Sequence, residues 1–364
     1  MDGIIDIIEL SVRALFKGPA KPRHARTIMT SATKKYFSKK NIQSNKFDAS
    51  EVLAEQAVHC LELVSELVEA GLSFQFKGGN SLLLILEKPR RFSIDVDIAT
   101  DETKERIEAC LNAIIKKGTF TKWTKRQHKT KPWLSLSSYY CFYKSQWPGP
   151  EEAFVMLDAQ LTRSPYETRL APVECGNLYK SKVKAEIPLA SSIIGDKLLT
   201  LGPSTLGIPV GKGKEAQRLK HVYDIALLLT TLPPLHEIRE SFIACVRHEN
   251  KLQGAAITTE ALLSDTLSFC STVKDFQDIP EISRAMPPVC VENIKGLRPF
   301  AAHLFEKDYS WKNLKVDMAK VALVMSAVCK ESVTDETFKD ILSVVDNYAD
   351  TQFYWNKLGA WIGS

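Results

Sequence analysis

The chain has no run of about 18 apolar residues, the length a helix needs to cross a bilayer, so no transmembrane helix is expected. It has no Cys-x-x-Cys pair. Cys60, Cys110, Cys141, Cys175, Cys245, Cys270, Cys290 and Cys329 are scattered singly, a pattern that suits reduced, mostly buried thiols in a cytoplasm rather than disulfides or structural zinc. Met1 to Phe16 carries Asp2, Asp6 and Glu9 and lacks a basic opening, so a signal peptide is not expected. Acidic residues are missing altogether between Ser11 and Phe47, where ten Lys or Arg run from Arg13 to Lys46.

What is present is ordinary in bulk. At 364 residues, 45% hydrophobic and 25% charged, the chain is long enough for two domains, or for one with a large appendage. The net charge of +5 is mild, but its distribution is uneven. A second basic cluster holds Lys116, Lys117, Lys122, Lys125, Arg126, Lys129 and Lys131, interleaved with Trp123 and Trp133. Basic stretches with nearby aromatics can grip a nucleic-acid backbone and stack its bases. Charge runs also serve as plain solvated faces. Lys34, Lys35, Lys39, Lys40, Lys125 and Arg126 are the candidate RNA contacts.

The chemistry concentrates between Phe74 and Ile98. Phe74 and Phe76 alternate with polar neighbours as a short strand does. Gly78 and Gly79 permit a tight turn and a close backbone approach, and Ser81 to Leu86 is apolar enough for a short helix. After a Pro-Arg-Arg turn, Phe92, Ile94, Val96 and Ile98 form one face of a second strand, and Ser93, Asp95 and Asp97 the other. Asp95 and Asp97 therefore point the same way, about 7 Å apart. Like charges so placed repel unless a cation joins them, and a hard cation such as Mg²⁺ takes oxygen ligands. The Gly-Gly turn offers backbone N–H groups to phosphate oxygens. Further on, Asp158 sits within the apolar run Phe154–Leu161, a costly place for a carboxylate unless it is paired or metal-bound.

Lys77-Gly78-Gly79-Asn80-Ser81-Leu82 followed by Arg91-Phe92-Ser93-Ile94-Asp95-Val96-Asp97 resembles the first motif of the AbiEii/AbiGii-type nucleotidyltransferase toxins, which share the fold of DNA polymerase β and the CCA-adding enzymes. Asn80 stands where the family has Thr or Ser. Lys197 in an apolar helix resembles a second motif. Lys220-His221-Val222-Tyr223-Asp224 resembles a third, Arg/Lys-Asp-x-Tyr-Asp, with His221 in place of its first Asp. The likeness runs in order from about Glu51 to Leu229.

The resemblance implies an α+β fold: a polymerase-β-like nucleotidyltransferase core of mixed sheet flanked by helices, with an α-helical C-terminal domain. The expected division is a basic helix and arm at 1–47, the core at 48–189, and a helical domain at 190–364 that completes the cleft. It also implies a set of roles. Asp95, Asp97 and Asp158 would hold Mg²⁺, or Mn²⁺ in its place, with Asp158 taking a proton from the attacking hydroxyl. Gly78, Gly79, Asn80, Ser81, Lys197 and Asp224 would bind the nucleotide, Asp224 by orienting Lys197. The activity implied is transfer of NMP from an NTP to the 3′ end of tRNA in the cytoplasm, under a cognate antitoxin. A small-molecule or protein hydroxyl is the alternative acceptor, and a non-catalytic nucleotide- or RNA-binding module the alternative class.

Elsewhere the sequence predicts a helix over Ile4–Phe16, and another from a capping box at Asp48 and Glu51. Thr103–Lys117 reads as a helix and Thr119–Tyr143 as one or two strands. A helix opening on Ser191 or Ser192 is expected over Ile193–Leu201, and one over Glu215–Leu232. The last third reads as helical, with Thr334 as a cap. His59, His248 and His303 read as structural. Lys220 and Asp224, at i and i+4, also fit a surface ion pair.

Overall fold

The computed structural model describes residues 31–126, 135–148, 152–276, 278–347 and 351–362. The expected helix at Ile4–Phe16, and Lys129, Lys131 and Trp133 of the second basic cluster, lie outside the described residues.

Two short helices, α1 (Ser31–Tyr36) and α2 (Lys39–Asn45), lead into the long helix α3 (Glu51–Glu69). Its cap is Ser50, not the Asp48 of the sequence signature. Ser50 takes the extended backbone a cap needs, and its hydroxyl accepts from the Leu53 N–H at 3.3 Å. Ala54, Ala57, Val58, Leu61 and Val64 then bury one face of α3 against the sheet.

There follow β1 (Gln75–Lys77), α4 (Gly78–Ile85), β2 (Asp95–Ala99) and α5 (Lys104–Ile115), the last capped by Thr103. The strands β3 (Lys122–Arg126), β4 (Leu136–Tyr143), β5 (Ala153–Gln160), β6 (Thr168–Cys175) and β7 (Tyr179–Pro188) complete the sheet. Its order is β3-β4-β5-β2-β1-β7-β6. The β2–β5 and β1–β7 pairs are parallel and the others antiparallel, so the sheet is mixed, as expected. The β6–β7 hairpin carries no motif, although Lys180, Lys182 and Lys184 alternate with Ser181, Val183 and Ala185 as a strand's residues do.

From Ala190 the chain is helical: α6 (Ala190–Leu198), α7 (Glu215–Leu229), α8 (Leu235–Gln253), α9 (Thr259–Ser271), α10 (Pro288–Ala301), α11 (Trp311–Val328), α12 (Asp335–Asn347) and α13 (Thr351–Ile362). Ser191 and Ser192 do not cap α6 but lie inside it, buried. Ser191 donates to Glu237, and Ser192 to the Glu167 carbonyl. Thr334 does cap α12, its hydroxyl accepting from the Thr337 N–H at 3.2 Å. None of the described helices is long and apolar enough to cross a membrane. None of the eight cysteines forms a disulfide, and seven are buried.

Buried apolar side chains gather in two clusters, one between α3 and the sheet, the other among α6 to α13. The short helix α4 serves both: Leu83 joins the sheet cluster, while Leu82, and Leu86 just past the helix end, join the helical one. Phe305, from beyond α10, reaches back between Phe47 and Phe92, with ring centroids 5.1 and 4.7 Å away. Burying one such ring contributes about 1.5–3 kcal/mol. The contact fixes the helical part against the segment that leads into β2.

Candidate active site

Strand register builds the site. Lys77 on β1 lies opposite Asp97 on β2, Asp97 opposite Asp158 on β5, Asp158 opposite Ser138 on β4, and Ser138 opposite Arg126 on β3. Opposed residues of neighbouring strands share a face. One row thus crosses five strands, and Asp95 falls in the next row beside Met156. Ser138 donates its hydroxyl to Asp158 Oδ1. The three aspartates are half-buried and crowded. Burial first, and then the charges of Asp158 and Asp95, push the Asp97 carboxyl up to about 7, against the pull of Lys77 and Lys197. Asp95 is raised by burial and by Asp158, with Lys220 and Arg126 opposing.

The glycine turn lies against this row. Gly78 has φ +71°, and a Cβ placed there would come 1.9 Å from Asp97 Oδ2. A Cβ on Gly79 would meet the Arg91 guanidinium at 2.7 Å. Both positions therefore need glycine for space, and Gly78 also for its left-handed backbone. Helix α4 begins at this turn with no side chain capping it, so its first N–H groups have no intrahelical acceptor and carry the positive end of the helix dipole. Asn80 and Ser81 are buried. Asn80 Nδ2 donates to the Asp95 carbonyl at 3.2 Å and Ser81 Oγ to the Gly78 carbonyl at 2.8 Å. Both brace the turn.

On the helical side, Asp224 of α7 is fully buried and takes three hydrogen bonds. Arg91 Nε and one terminal nitrogen reach its two oxygens at 2.8 and 2.6 Å, and Lys197 Nζ of α6 lies 2.9 Å from Oδ2. Burial resists ionisation, yet Arg91 and Lys197 outweigh it and hold the carboxyl well below its usual range. Lys220 takes no part in this pair. It lies among Asp95, Arg91 and Asp224, and burial lowers its pKa. Asp196, next to Lys197 in sequence, turns instead to Lys77 Nζ at 3.6 Å.

The structure brings Asp95, Asp97, Asp158, Gly78, Gly79, Lys197 and Asp224 together. It does not bring the arm lysines with them. Lys34, Lys35, Lys39 and Lys40 are carried by α1 and α2, which pack near Tyr179 and Leu178 on the α3 side of the sheet. The carboxylates face the other way. Lys125 also faces away, paired with Glu108 of α5 at 2.8 Å, whereas Arg126 shares the carboxylate face.

Lys77, Arg91 and Lys220 stand in the sequence motifs without an expected role at the site, and Ser138 carries no sequence signal; the structure places all four at the site. Lys77 precedes the Gly-Gly turn and Arg91 the Asp pair, so their sequence positions already set them beside the site. Burial first, and then the Lys220 and Arg91 charges, lower the His303 pKa to about 4. His59 is buried, stacked on Tyr143 at 3.6 Å and lowered by burial to about 4, in keeping with a structural role.

Among the described residues no three His, Cys, Asp or Glu side chains close into a metal cage by themselves. Mg²⁺ seldom needs one, since it commonly uses one or two carboxylates, waters and substrate phosphate oxygens. An all-oxygen donor set, crowded enough to raise Asp97, fits such a partly provided site.

Two solved structures are similar in outline at 14% identity. One is a presumed nucleotidyltransferase from H. pylori, with TM-score 0.43 and an overlap of 76% of this chain and 92% of that one. The other is MenT4, a nucleotidyltransferase toxin from Mycobacterium tuberculosis, with TM-score 0.46 and an overlap of 84% and 98%. No curated protein matches. The sequence profile described as nucleotidyl transferase AbiEii toxin, type IV toxin–antitoxin system, matches residues 63–290, more than half of the chain and all of the site described above. The chain belongs to this AbiEii family of nucleotidyltransferase toxins.

Proposed function

We propose that the protein transfers NMP from an NTP to the 3′ end of a tRNA, releasing pyrophosphate and blocking translation, in the cytoplasm and under a cognate antitoxin. The observation that carries the reading is the register of Asp97 against Asp158, with the Gly78 backbone pressed on Asp97. Gly78 and Gly79 would present N–H groups to the β- and γ-phosphates. Lys197 would neutralise charge as pyrophosphate leaves, held in place by Asp224 and Arg91. Asp158, already hydrogen-bonded by Ser138, would accept the proton of the attacking hydroxyl. Asp95, Asp97 and Asp158 would hold Mg²⁺, or Mn²⁺, which when bound supplies Lewis-acid polarisation at the α-phosphoryl group. The protein's own share is positioning and charge compensation.

One observation favours a second acceptor class. The arm lysines stand on the α3 side, away from the carboxylates, so a small-molecule or protein hydroxyl needs no help from them. Incubation with each α-³²P-labelled NTP, Mg²⁺, total tRNA and total protein separates the two. Label in tRNA with wild type, lost in Asp95→Ala, is the expected result. Label in protein alone transfers the reading to the second class, and no label anywhere returns the chain to a binding module.

A further inference from the structure

The carboxylate face of the sheet does not end at Asp158. Along β5, Met156 and Phe154 follow it on the same face, at steps of about 7 Å. On β4 they lie opposite Tyr140 and Phe142, and on β3 those two lie opposite Thr124 and Lys122. Their in-between neighbours, Tyr139, Cys141, Tyr143, Val155 and Leu157, are buried on the reverse face. There Tyr139 and Lys125 meet Glu108 of α5. The three aromatic rings form one group: Tyr140 and Phe154 are 4.9 Å apart edge to face, and Phe142 and Phe154 are 5.9 Å apart. Phe154 is 43% exposed, and Tyr140 and Phe142 beside it are half-buried, so the three present one partly open aromatic patch. Lys122, Thr124 and Arg126 beside the group are exposed too. Arg126 ends the row that contains Asp158, and the Lys122 ammonium lies 4.8 Å from the Phe142 ring centre while also pairing with Glu152.

We infer that Tyr140, Phe142 and Phe154 form a stacking platform for the single-stranded end of an RNA acceptor, delivering its terminal hydroxyl to Asp158. This deepens the proposed transfer and rests on its RNA acceptor. The placement follows from the two sides of the carboxylate row. The Gly78 turn lies on the β1–β2 side and claims the triphosphate, which leaves the β5–β4–β3 side for the acceptor. Unpaired bases stack on any aromatic ring, and cations at the edge meet the phosphates. A duplex cannot offer its base faces, so the platform selects a strand.

The test uses the full-length protein without NTP and reads fluorescence anisotropy. The probes are a 5′-fluorescein RNA octamer, single-stranded, and the same sequence as a blunt duplex. Wild type is expected to bind the strand in preference to the duplex. Tyr140→Leu with Phe154→Leu should weaken strand binding about tenfold or more, as loss of base stacking does. Phe154→Leu alone, at a ring already open to solvent, should weaken it severalfold with an unchanged unfolding temperature. Lys122→Gln should lower the salt dependence by about one ion. Wild-type strand affinity in both leucine variants, or equal wild-type affinity for duplex and strand, overturns the platform. Because no NTP enters, this outcome is separate from the labelling assay. Transfer to tRNA with no effect of the leucine changes defeats the platform alone, and binding without transfer defeats the transferase reading alone.

Discussion

Arg91 and Asp224 stand 133 positions apart in the chain and meet through two hydrogen bonds of 2.8 and 2.6 Å in a buried, two-pronged pair. The pair ties the turn before β2 to the middle of α7, and through Asp224 it also fixes Lys197 at 2.9 Å. Such pairs add little net stability, because desolvation offsets attraction, but breaking one from a single side is expensive.

Asp224→Asn would leave Arg91 and Lys197 buried without their anion. Urea unfolding should show a loss of about 3–5 kcal/mol. Arg91→Lys keeps the charge but not the fork. It should unfold at a lower urea concentration than wild type and cut kcat/KM about 10²-fold, since Lys197 loses its fixed position. Unchanged kcat/KM in Arg91→Lys would show that the pair holds the fold and not the lysine.

Gly78→Ala and Gly118→Ala separate backbone strain from crowding. Both glycines have positive φ, +71° and +90°, but only at Gly78 would an added Cβ meet anything within 4 Å, the Asp97 carboxylate. Gly118→Ala should cost about 1–2 kcal/mol of stability and leave transfer intact. Gly78→Ala carries the same strain and must also displace Asp97, so transfer should fall at least 10²-fold. Equal activities in the two variants would refute the close approach.

Behind the sheet, Glu66 of α3 is buried with Glu62, Glu69, Lys117, Thr119 and Tyr179 around it. Burial, then the Glu62 charge, pushes its carboxyl up to about 8, and Glu62 shifts the same way. The folded state thus binds more protons than the unfolded one between roughly pH 4.5 and 8. This contribution to stability is complete below the lower limit and is lost as pH rises through the upper. Glu66→Gln should raise the urea midpoint at pH 8.5 and change it little at pH 5. A gain equal at both values would contradict the shift.

The contrast between Asp196 and Lys197 shows what local pattern could and could not reveal. Adjacent on α6, they look like one polar edge, yet about 100° of helical rotation sends Asp196 to Lys77 and Lys197 to Asp224. Lys125 and Arg126 divide likewise. One position along a strand reverses the face, so only Arg126 shares the carboxylate side. The β6–β7 hairpin was legible in its alternation but carried no motif to draw notice.

The sequence by itself determined the strand, glycine turn, helix and Asp-x-Asp strand, because each depends on neighbours a few residues away: backbone freedom at Gly78, and a period-two alternation from Phe92 to Ile98 of which only Asp95 onward pairs into the sheet, as Asp95–Ala99. It also carried the family motifs. Only the tertiary structure decided that Asp158 aligns with Asp97, that Asp224 is sealed around Arg91 and Lys197, and that the arm lysines pack behind the sheet. Strand register and burial are settled by contacts between distant segments, and no window of local sequence contains both partners of such a contact.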